Sequence, residues 1–291
     1  MKLTAFLFVI DLAMGPAFQQ AANAQQAAQR DTAKVAPATD KSHLVVGVTA
    51  NSDMNYYGRV DSQVIRGLYP FIGFDLKDGL YANSTFVFIN NGAESEYAAT
   101  LLEAGYNFHN KGNTLAGNLS ASKFMYQGNT GLLQSVIKED VAASITQLNK
   151  IVNLSLGADV KFSNFADPGA QAGLDHTIKF VHPFGRQDAL VVDPSAYVYA
   201  GTQQFTQTFY QQEMFLIFPA GEQALTTNGQ RFDVLAYEFS LPVVYVNKKF
   251  TVLIDPAYVL PENVIPDASA EGLSVIGKDL FYVSGTVKFS L

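Results

Sequence analysis

The sequence contains no cysteine and no tryptophan, although its 291 residues include 22 phenylalanines and 14 tyrosines. Without cysteine there is no disulfide framework and no thiolate chemistry. Charged residues are also scarce, at 15%, and the basic ones are scattered along a chain of net charge −7. This distribution argues against nucleic-acid binding, which requires a basic patch or stripe.

Long apolar runs are missing as well. Hydrophobic residues make up 48% of the chain, yet no segment after the N-terminus has the roughly 18 to 20 unbroken apolar residues of a membrane-spanning helix. No Gly-rich phosphate loop precedes a helix, and no His or carboxylate pair has metal-ligand spacing. We therefore expect no cofactor and no metal site.

The N-terminus has the pattern of a Sec signal peptide. A short basic start, Met1-Lys2, is followed by an apolar stretch and by Ala22-Asn23-Ala24, after which cleavage is expected. Residues 25–42 are rich in Ala, Thr, Asp and Lys and predict a flexible leader, because such a composition cannot bury a core. A membrane anchor or an ordinary N-terminal helix is the alternative for the first segment.

From His43 onward, segments of about ten or more residues alternate polar and apolar side chains, which predicts strands. About twelve strands are expected, and an even number is the rule for single-chain bacterial barrels. They are placed at 44–58, 65–77, 79–90, 96–109, 112–126, 134–148, 151–163, 174–183, 189–203, 232–246, 249–260 and 279–291.

The predicted links between strands are alternately short and long. Short turns such as Asp78-Gly79 and Asn149-Lys150 alternate with longer links at 58–64, 91–95, 127–133, 163–173, 206–231 and 261–278. Membrane barrels have short periplasmic turns and longer outer loops, whereas a soluble sandwich has no reason for this alternation. The pattern favours one barrel domain over residues 43–291.

The distribution of polar and apolar residues between the two faces of the predicted strands also favours a membrane barrel. In the seventh strand Leu154, Leu156 and Val160 share one face, while Asp159 and Lys161 lie on the other. A charge in contact with lipid at the membrane midplane costs roughly 2 to 4 kcal/mol, so the polar face must be the lumen. A secreted soluble β-sandwich that binds a ligand would show the same alternation, and it stays open as an alternative.

The last predicted strand resembles the closing strand of bacterial outer-membrane β-barrels. One of its faces is apolar apart from a single glycine, and it consists of Phe281, Val283, Gly285, Val287, Phe289 and Leu291. In that family the terminal strand carries the insertion signal read by the barrel-assembly machinery, usually with a terminal aromatic residue, where this chain has Leu291. The resemblance covers roughly residues 44–291 and extends to the uncharacterised barrel proteins of Bacteroidota.

The resemblance implies a transmembrane, all-β, antiparallel up-and-down barrel in the outer membrane of a Gram-negative bacterium, with lipid as its surroundings. The function expected is non-enzymatic, either a narrow porin-like passive pore for a small solute or a structural or accessory barrel. Twelve strands lie between the barrels of about eight strands, which side chains fill, and those of sixteen or more, which keep a channel.

A near-repeat places acidic residues at equivalent points of two predicted strands. Asp193-Pro194 and Asp255-Pro256 each follow an apolar pair, and each is expected to cause a bulge or bend, because proline cannot donate to the strand ladder. Glu238, Lys179 and Lys288 fall at nearby heights on the predicted strands. We predict a charge network in the lumen made of Asp193, Glu238, Asp255, Lys179 and Lys288.

Two other features allow different functions. Asp175-His176 is the only pair that suits an outer-membrane hydrolase with a site at the rim, but adjacent strand residues point to opposite faces. The link 206–231 contains the apolar run Phe215–Phe218, which predicts a strand extension, an inward fold or a surface for a protein partner.

Overall fold

We analysed a computed structural model of the chain, which describes residues 42–60, 64–90, 95–127, 136–185, 188–206, 229–264 and 276–291. The predicted signal peptide and all of the leader except Ser42 lie outside these ranges, as do residues 207–228 of the long link. No helix in the described part of the chain is long and apolar enough to span a membrane.

Twelve antiparallel strands form a closed ring. Around the ring they follow the order β1, β3, β4, β5, β6, β7, β8, β9, β12, β13, β15, β17, and β17 then pairs with β1. Their bounds are β1 His43–Asn51, β3 Arg66–Asp75, β4 Leu80–Asn90, β5 Ser95–His109, β6 Leu115–Tyr126, β7 Glu139–Gln147, β8 Asn153–Phe162, β9 Ala166–Asp175, β12 Ser195–Gly201, β13 Asp233–Ser240, β15 Phe250–Pro261 and β17 Leu280–Ser290. The twelve-strand barrel predicted from the alternation is confirmed.

Three further strands continue ring strands toward the end of the barrel that carries the short turns. They are β10 Ile178–Val181, β11 Asp188–Val192 and β14 Val243–Asn247, which follow or precede β9, β12 and β13 along the chain. The bend predicted at Asp193-Pro194 is present, whereas the prediction of continuous strands was wrong at 176–177 and 241–242. The ladder is interrupted at 176–177, 193–194 and 241–242, and Pro194 and Pro242 have no N–H to donate.

The second Asp-Pro step behaves differently from the prediction. β15 passes through Asp255 and Pro256 with an unbroken register against β17, so no bulge forms. On its other side the pairing stops at Ala257 with β13 and resumes at Ile254 with β14. Pro256 is tolerated because it lies beside this gap in the ladder.

One strand begins earlier than predicted. β9 starts at Ala166, so positions 163–165 are the whole link after β8, where the sequence predicted a loop over 163–173. The segment contains Gly169 and Gly173, and a Cβ built on them would lie 2.5 Å from Asp159 and 2.2 Å from Tyr197. These glycines make room for large inward side chains of neighbouring strands, and a hydropathy pattern does not record that.

The two faces of the wall differ as a transmembrane barrel requires. The outer face of the ring strands carries exposed Leu, Ile, Val and Phe side chains, whereas Thr, Ser, Asn, Asp and Lys are buried on the inner face. In β7 the alternation is strict from Glu139 to Gln147. The apolar face can only be stable against lipid.

The strand β17 closes the ring as its sequence predicts. Val48 and Thr49 of β1 pair with Val287 and Thr286, whose hydroxyl lies 2.8 Å from that of Thr49 on the inner face. Phe281, Val287, Phe289 and Leu291 are exposed on the outside, and Val283 and Gly285 are half-buried there. Their role as an insertion signal stays a prediction.

The exposed face can be tested by charge insertion. Leu119, near the middle of β6, is 51% exposed. Leu119→Arg should lower the free energy of unfolding in lipid bilayers by about 2 to 4 kcal/mol, because the guanidinium meets hydrocarbon. The matched control is Ile151→Arg, since Ile151 is 73% exposed but lies in the turn before β8. Equal effects of the two substitutions on urea unfolding would contradict the membrane orientation.

Candidate functional site

The first link of the barrel enters the lumen. Residues 53–60, which we call the plug segment, are all buried. Tyr56 and Arg59 exchange backbone hydrogen bonds of 2.7 and 2.9 Å, and Tyr57 and Gly58 between them have φ of 51° and 72°. Two left-handed residues are what a type I′ turn requires. The sequence analysis had extended the first strand to residue 58 and missed this turn.

Arg59 fastens the plug segment to the wall. Its Nη1 donates to the backbone oxygens of Tyr57 and Leu235 at 3.0 and 3.2 Å. Its Nη2 donates to Gln203 Oε1 at 2.7 Å and to the Glu262 oxygen at 3.0 Å. Gln203 lies two residues after β12, Glu262 directly follows β15, and Leu235 is near the start of β13. One buried guanidinium therefore holds three neighbouring strand ends to the plug segment.

Aromatic contacts also hold the plug segment at the outer end of the barrel, the end with the longer links. The ring of Tyr56 lies 4.6 Å from that of Phe205, and the ring of Tyr57 lies 5.1 Å from that of Tyr199. Lys161 Nζ lies 5.9 Å from the centre of the Tyr57 ring. Lys161 belongs to β8, six positions around the ring from β1, so the plug segment reaches the opposite wall.

A second link supports the plug segment from outside. Strand β2, Arg59–Val60, pairs with β16, Ile276–Gly277, which lies in the link between β15 and β17. Lys278 N donates to the Gly58 oxygen at 3.2 Å. A Cβ on Gly58 would lie 2.9 Å from Pro261, which adds a steric reason for glycine to its positive φ.

Beneath the plug segment, one row of polar side chains crosses the inner wall from β4 to β9. Each member is the Cα partner of the next across adjacent strands. The row consists of Asn83, Glu103, Ser122, Asp140, Lys161 and Asp167. We call it the polar row.

The members of the polar row differ in the number of hydrogen bonds and ionic contacts that their side chains make. Asp167 accepts hydrogen bonds from the Thr202 hydroxyl at 2.7 Å and from the N–H groups of Gln204 and Phe205 at 2.6 and 2.8 Å. The ammonium of Lys161 contacts the carboxylate of Asp159, two residues earlier on β8. Asp140 is buried, and neither of its carboxylate oxygens accepts a hydrogen bond in the described structure.

The opposite wall is apolar at the turn end. Val191, Val244, Val246 and Leu253 form a buried cluster on the inner faces of β11, β14 and β15. The inner wall is therefore aliphatic at this end of β11, β14 and β15.

The five residues of the predicted charge network occupy different surroundings. Asp193, Asp255 and Lys288 are buried on the inner face, and Asp193 accepts a hydrogen bond from the Thr177 hydroxyl at 2.9 Å. Glu238 is half-buried and accepts from the hydroxyls of Tyr282 and Tyr199 at 3.0 and 3.4 Å.

The two lysines of that predicted network lie lower on the wall. Lys179 is exposed on β10, where it pairs with Val191. Lys288 pairs with Thr251 of β15 and lies within electrostatic reach of Asp75. The network as a whole stays a prediction.

The candidate hydrolytic pair is split between two faces. Asp175 is buried on the inner face and accepts a hydrogen bond from Asn153 Nδ2 at 2.6 Å. His176 is half-buried, and its Nδ1 contacts the Ile151 oxygen. The carboxylate and the imidazole do not face a common site. Within the described ranges, no group of three or more His, Cys, Asp and Glu side chains is placed to hold a metal ion.

The sequence could not reveal the plug segment, whose turn Tyr57-Gly58 reads as the end of a strand. Its aromatic and basic residues carry no signal for inward folding. The apolar run Phe215–Phe218, for which an inward fold was one expectation, lies outside the described residues.

No protein-family model matches the sequence, and no curated protein does either. Solved structures of bacterial outer-membrane β-barrels resemble the fold. They include a KdgM porin (TM-score 0.46, 8% identity, 85% of this chain and 99% of that one) and LpxR from Salmonella typhimurium (TM-score 0.47, 13% identity, 84% and 99%). The translocator domain of the autotransporter NalP from Neisseria meningitidis also matches (TM-score 0.41, 11% identity, 96% and 99%). These loose likenesses carry no argument about function, which has to come from the residues of this chain.

The anchoring role of Arg59 can be measured by amide hydrogen exchange. Arg59→Met keeps the length of the side chain and removes its donors, so local opening of the plug segment should become easier by about 2 kcal/mol. The N–H groups of Tyr56 and Arg59 should then exchange roughly 30-fold faster. Arg66→Met, at an exposed position that begins β3, is the control and should leave both rates unchanged. Unchanged rates in Arg59→Met would show that the guanidinium does not hold the plug segment.

Proposed function

We propose that the chain is an integral β-barrel of the bacterial outer membrane that serves as a narrow passive pore for small solutes, closed at rest by its first link. The observation that carries this proposal is the position of the plug segment. It lies across the outer mouth, anchored by Arg59 and in contact with Lys161 on the opposite wall.

Small polar side chains line the wall below the plug segment, and we assign the path of the proposed pore to them. Ser120, Ser122 and Ser144 have short side chains, and their buried hydroxyls make no hydrogen bond in the described structure. A buried hydroxyl without a partner costs about 1 to 3 kcal/mol, and ordered water commonly removes that cost. A barrel filled only for stability would gain more from apolar side chains or a fully satisfied polar network at these positions.

The anchoring of the plug segment suits reversible closure. Its bonds to the wall go mainly to backbone oxygens and to the amide of Gln203, which water can replace when the segment leaves. The strands behind those oxygens keep their ladder bonds, because the barrel closes independently through β17 and β1. Displacement of the plug segment would thus open the mouth and leave the wall intact.

The proposal includes no catalysis, because Asp175 and His176 lie on opposite faces of the wall. It can be checked with purified, folded protein assayed for lipid and peptide hydrolysis, beside His176→Ala. We expect no activity in either protein. Hydrolysis that disappears with His176→Ala would overturn the non-enzymatic assignment.

The pore itself can be tested in planar lipid bilayers. A variant in which residues 53–60 are replaced by eight glycine and serine residues should conduct steadily, whereas the natural protein should be closed most of the time. Arg59→Met should open intermittently, and Arg66→Met should behave as the natural protein.

Folding of each variant is verified first by its heat-modifiable migration in detergent gels, which a closed barrel shows and a soluble sandwich does not. A folded variant without the plug segment that gives no conductance would overturn the pore and leave a structural barrel.

A further inference from the structure

Asp140 is a buried acid whose carboxylate oxygens accept no side-chain hydrogen bond within the described ranges, although the ammonium of Lys161 lies within electrostatic reach of it. It is the second residue of β7, its inward side chain is 1% exposed, and neither carboxylate oxygen has a hydrogen-bond donor in the described structure. An ionised carboxylate buried in this way is strongly destabilising unless a cation or donors compensate it. The carboxylates of the two nearby inward acids have direct partners. Asp159 contacts the ammonium of Lys161, and Asp167 accepts three hydrogen bonds.

Ser122 places one further unpartnered oxygen beside Asp140, and two more lie further along the same inner faces. Ser122 on β6 is its Cα partner, Ser120 lies two residues away on the same face of that strand, and Ser144 lies four residues further along β7. The hydroxyls of all three are buried and make no hydrogen bond in the part of the chain that the structure describes. The carboxylate of Asp140 and the hydroxyl of Ser122 offer oxygen ligands, which hard cations prefer.

The charges around these two ligands favour a cation of low charge. Glu103 pairs with Ser122 on one side, and Lys161 pairs with Asp140 on the other. Four carboxylates, those of Glu103, Asp140, Asp159 and Asp167, therefore lie around one ammonium. Carboxylates in a narrow lumen raise the local concentration of cations, while the ammonium of Lys161 opposes a second positive charge on the ligand.

The position of Asp140 connects these ligands to the mouth. Its neighbour Lys161 contacts the Tyr57 ring of the plug segment, so the ligands lie just behind the closure. A solute that entered after displacement of the plug segment would meet them first.

We propose that Asp140 and Ser122 form a binding site for a small monovalent cation at the outer mouth, and that this site makes the open pore selective for cations. The proposal rests on the pore function proposed above. It assigns small monovalent cations as the solute class and places their binding site at Asp140 and Ser122.

The experiment uses the protein whose plug segment is replaced, in planar bilayers with a gradient of potassium chloride. Asp140→Asn preserves the shape of the side chain and removes its charge, so the permeability ratio of potassium to chloride should fall by about threefold or more. Glu139→Gln is the matched control, because the neighbouring Glu139 points outward, is exposed and pairs with Lys123. It should leave the ratio unchanged.

A second readout separates a binding site from a diffuse negative field. Occupancy of a site makes the conductance saturate as the potassium concentration rises, and this saturation should be weaker in Asp140→Asn and in Ser122→Ala. If both variants keep the saturation and the ratio of the control, the cation site is overturned while the pore stands. If the protein without the plug segment is folded but does not conduct at all, the pore function is what has failed.

Discussion

A strand in lipid must have both of its backbone edges hydrogen-bonded, because the hydrocarbon offers no substitute donor or acceptor. The pairing of β17 with β1 meets this condition and turns an open meander into a ring. With the ring closed, every second side chain of each strand faces a single enclosed space. The polar inner face, the polar row and the position of the plug segment all follow from that closure.

The register of the ring determines which inward side chains meet. Asp140 and Lys161 lie far apart from Glu103 in sequence, yet they belong to one row because successive strands pair without slippage from β5 to β8. The glycines of β9 contribute to the same arrangement. Gly169 and Gly173 leave space for Asp159 and Tyr197, and thus allow large polar side chains to share a narrow lumen.

Alternation of polar and apolar residues was enough to predict the number of ring strands and the outward face of β17, because both depend on a period of two. The alternation gave wrong strand bounds where small residues or prolines determine the backbone pairing. β9 was placed too late because its small residues carry little alternation, and the strand that contains Pro242 was predicted as continuous. Only part of the candidate site could be predicted from the alternation. Asp193, Asp255 and Lys288 are buried, but the charge network predicted for them stays a prediction, and the tyrosine partners of Glu238 were not anticipated.

The sequence by itself determined the architecture, since the binary pattern of a half-buried strand is local and must repeat in every strand. Only the tertiary structure decided the state of the lumen. Arg59 bonds to Leu235, Gln203 and Glu262, which are at least 144 residues away along the chain. No local pattern encodes such contacts, because they depend on the ring that brings the first link to the ends of β12, β13 and β15.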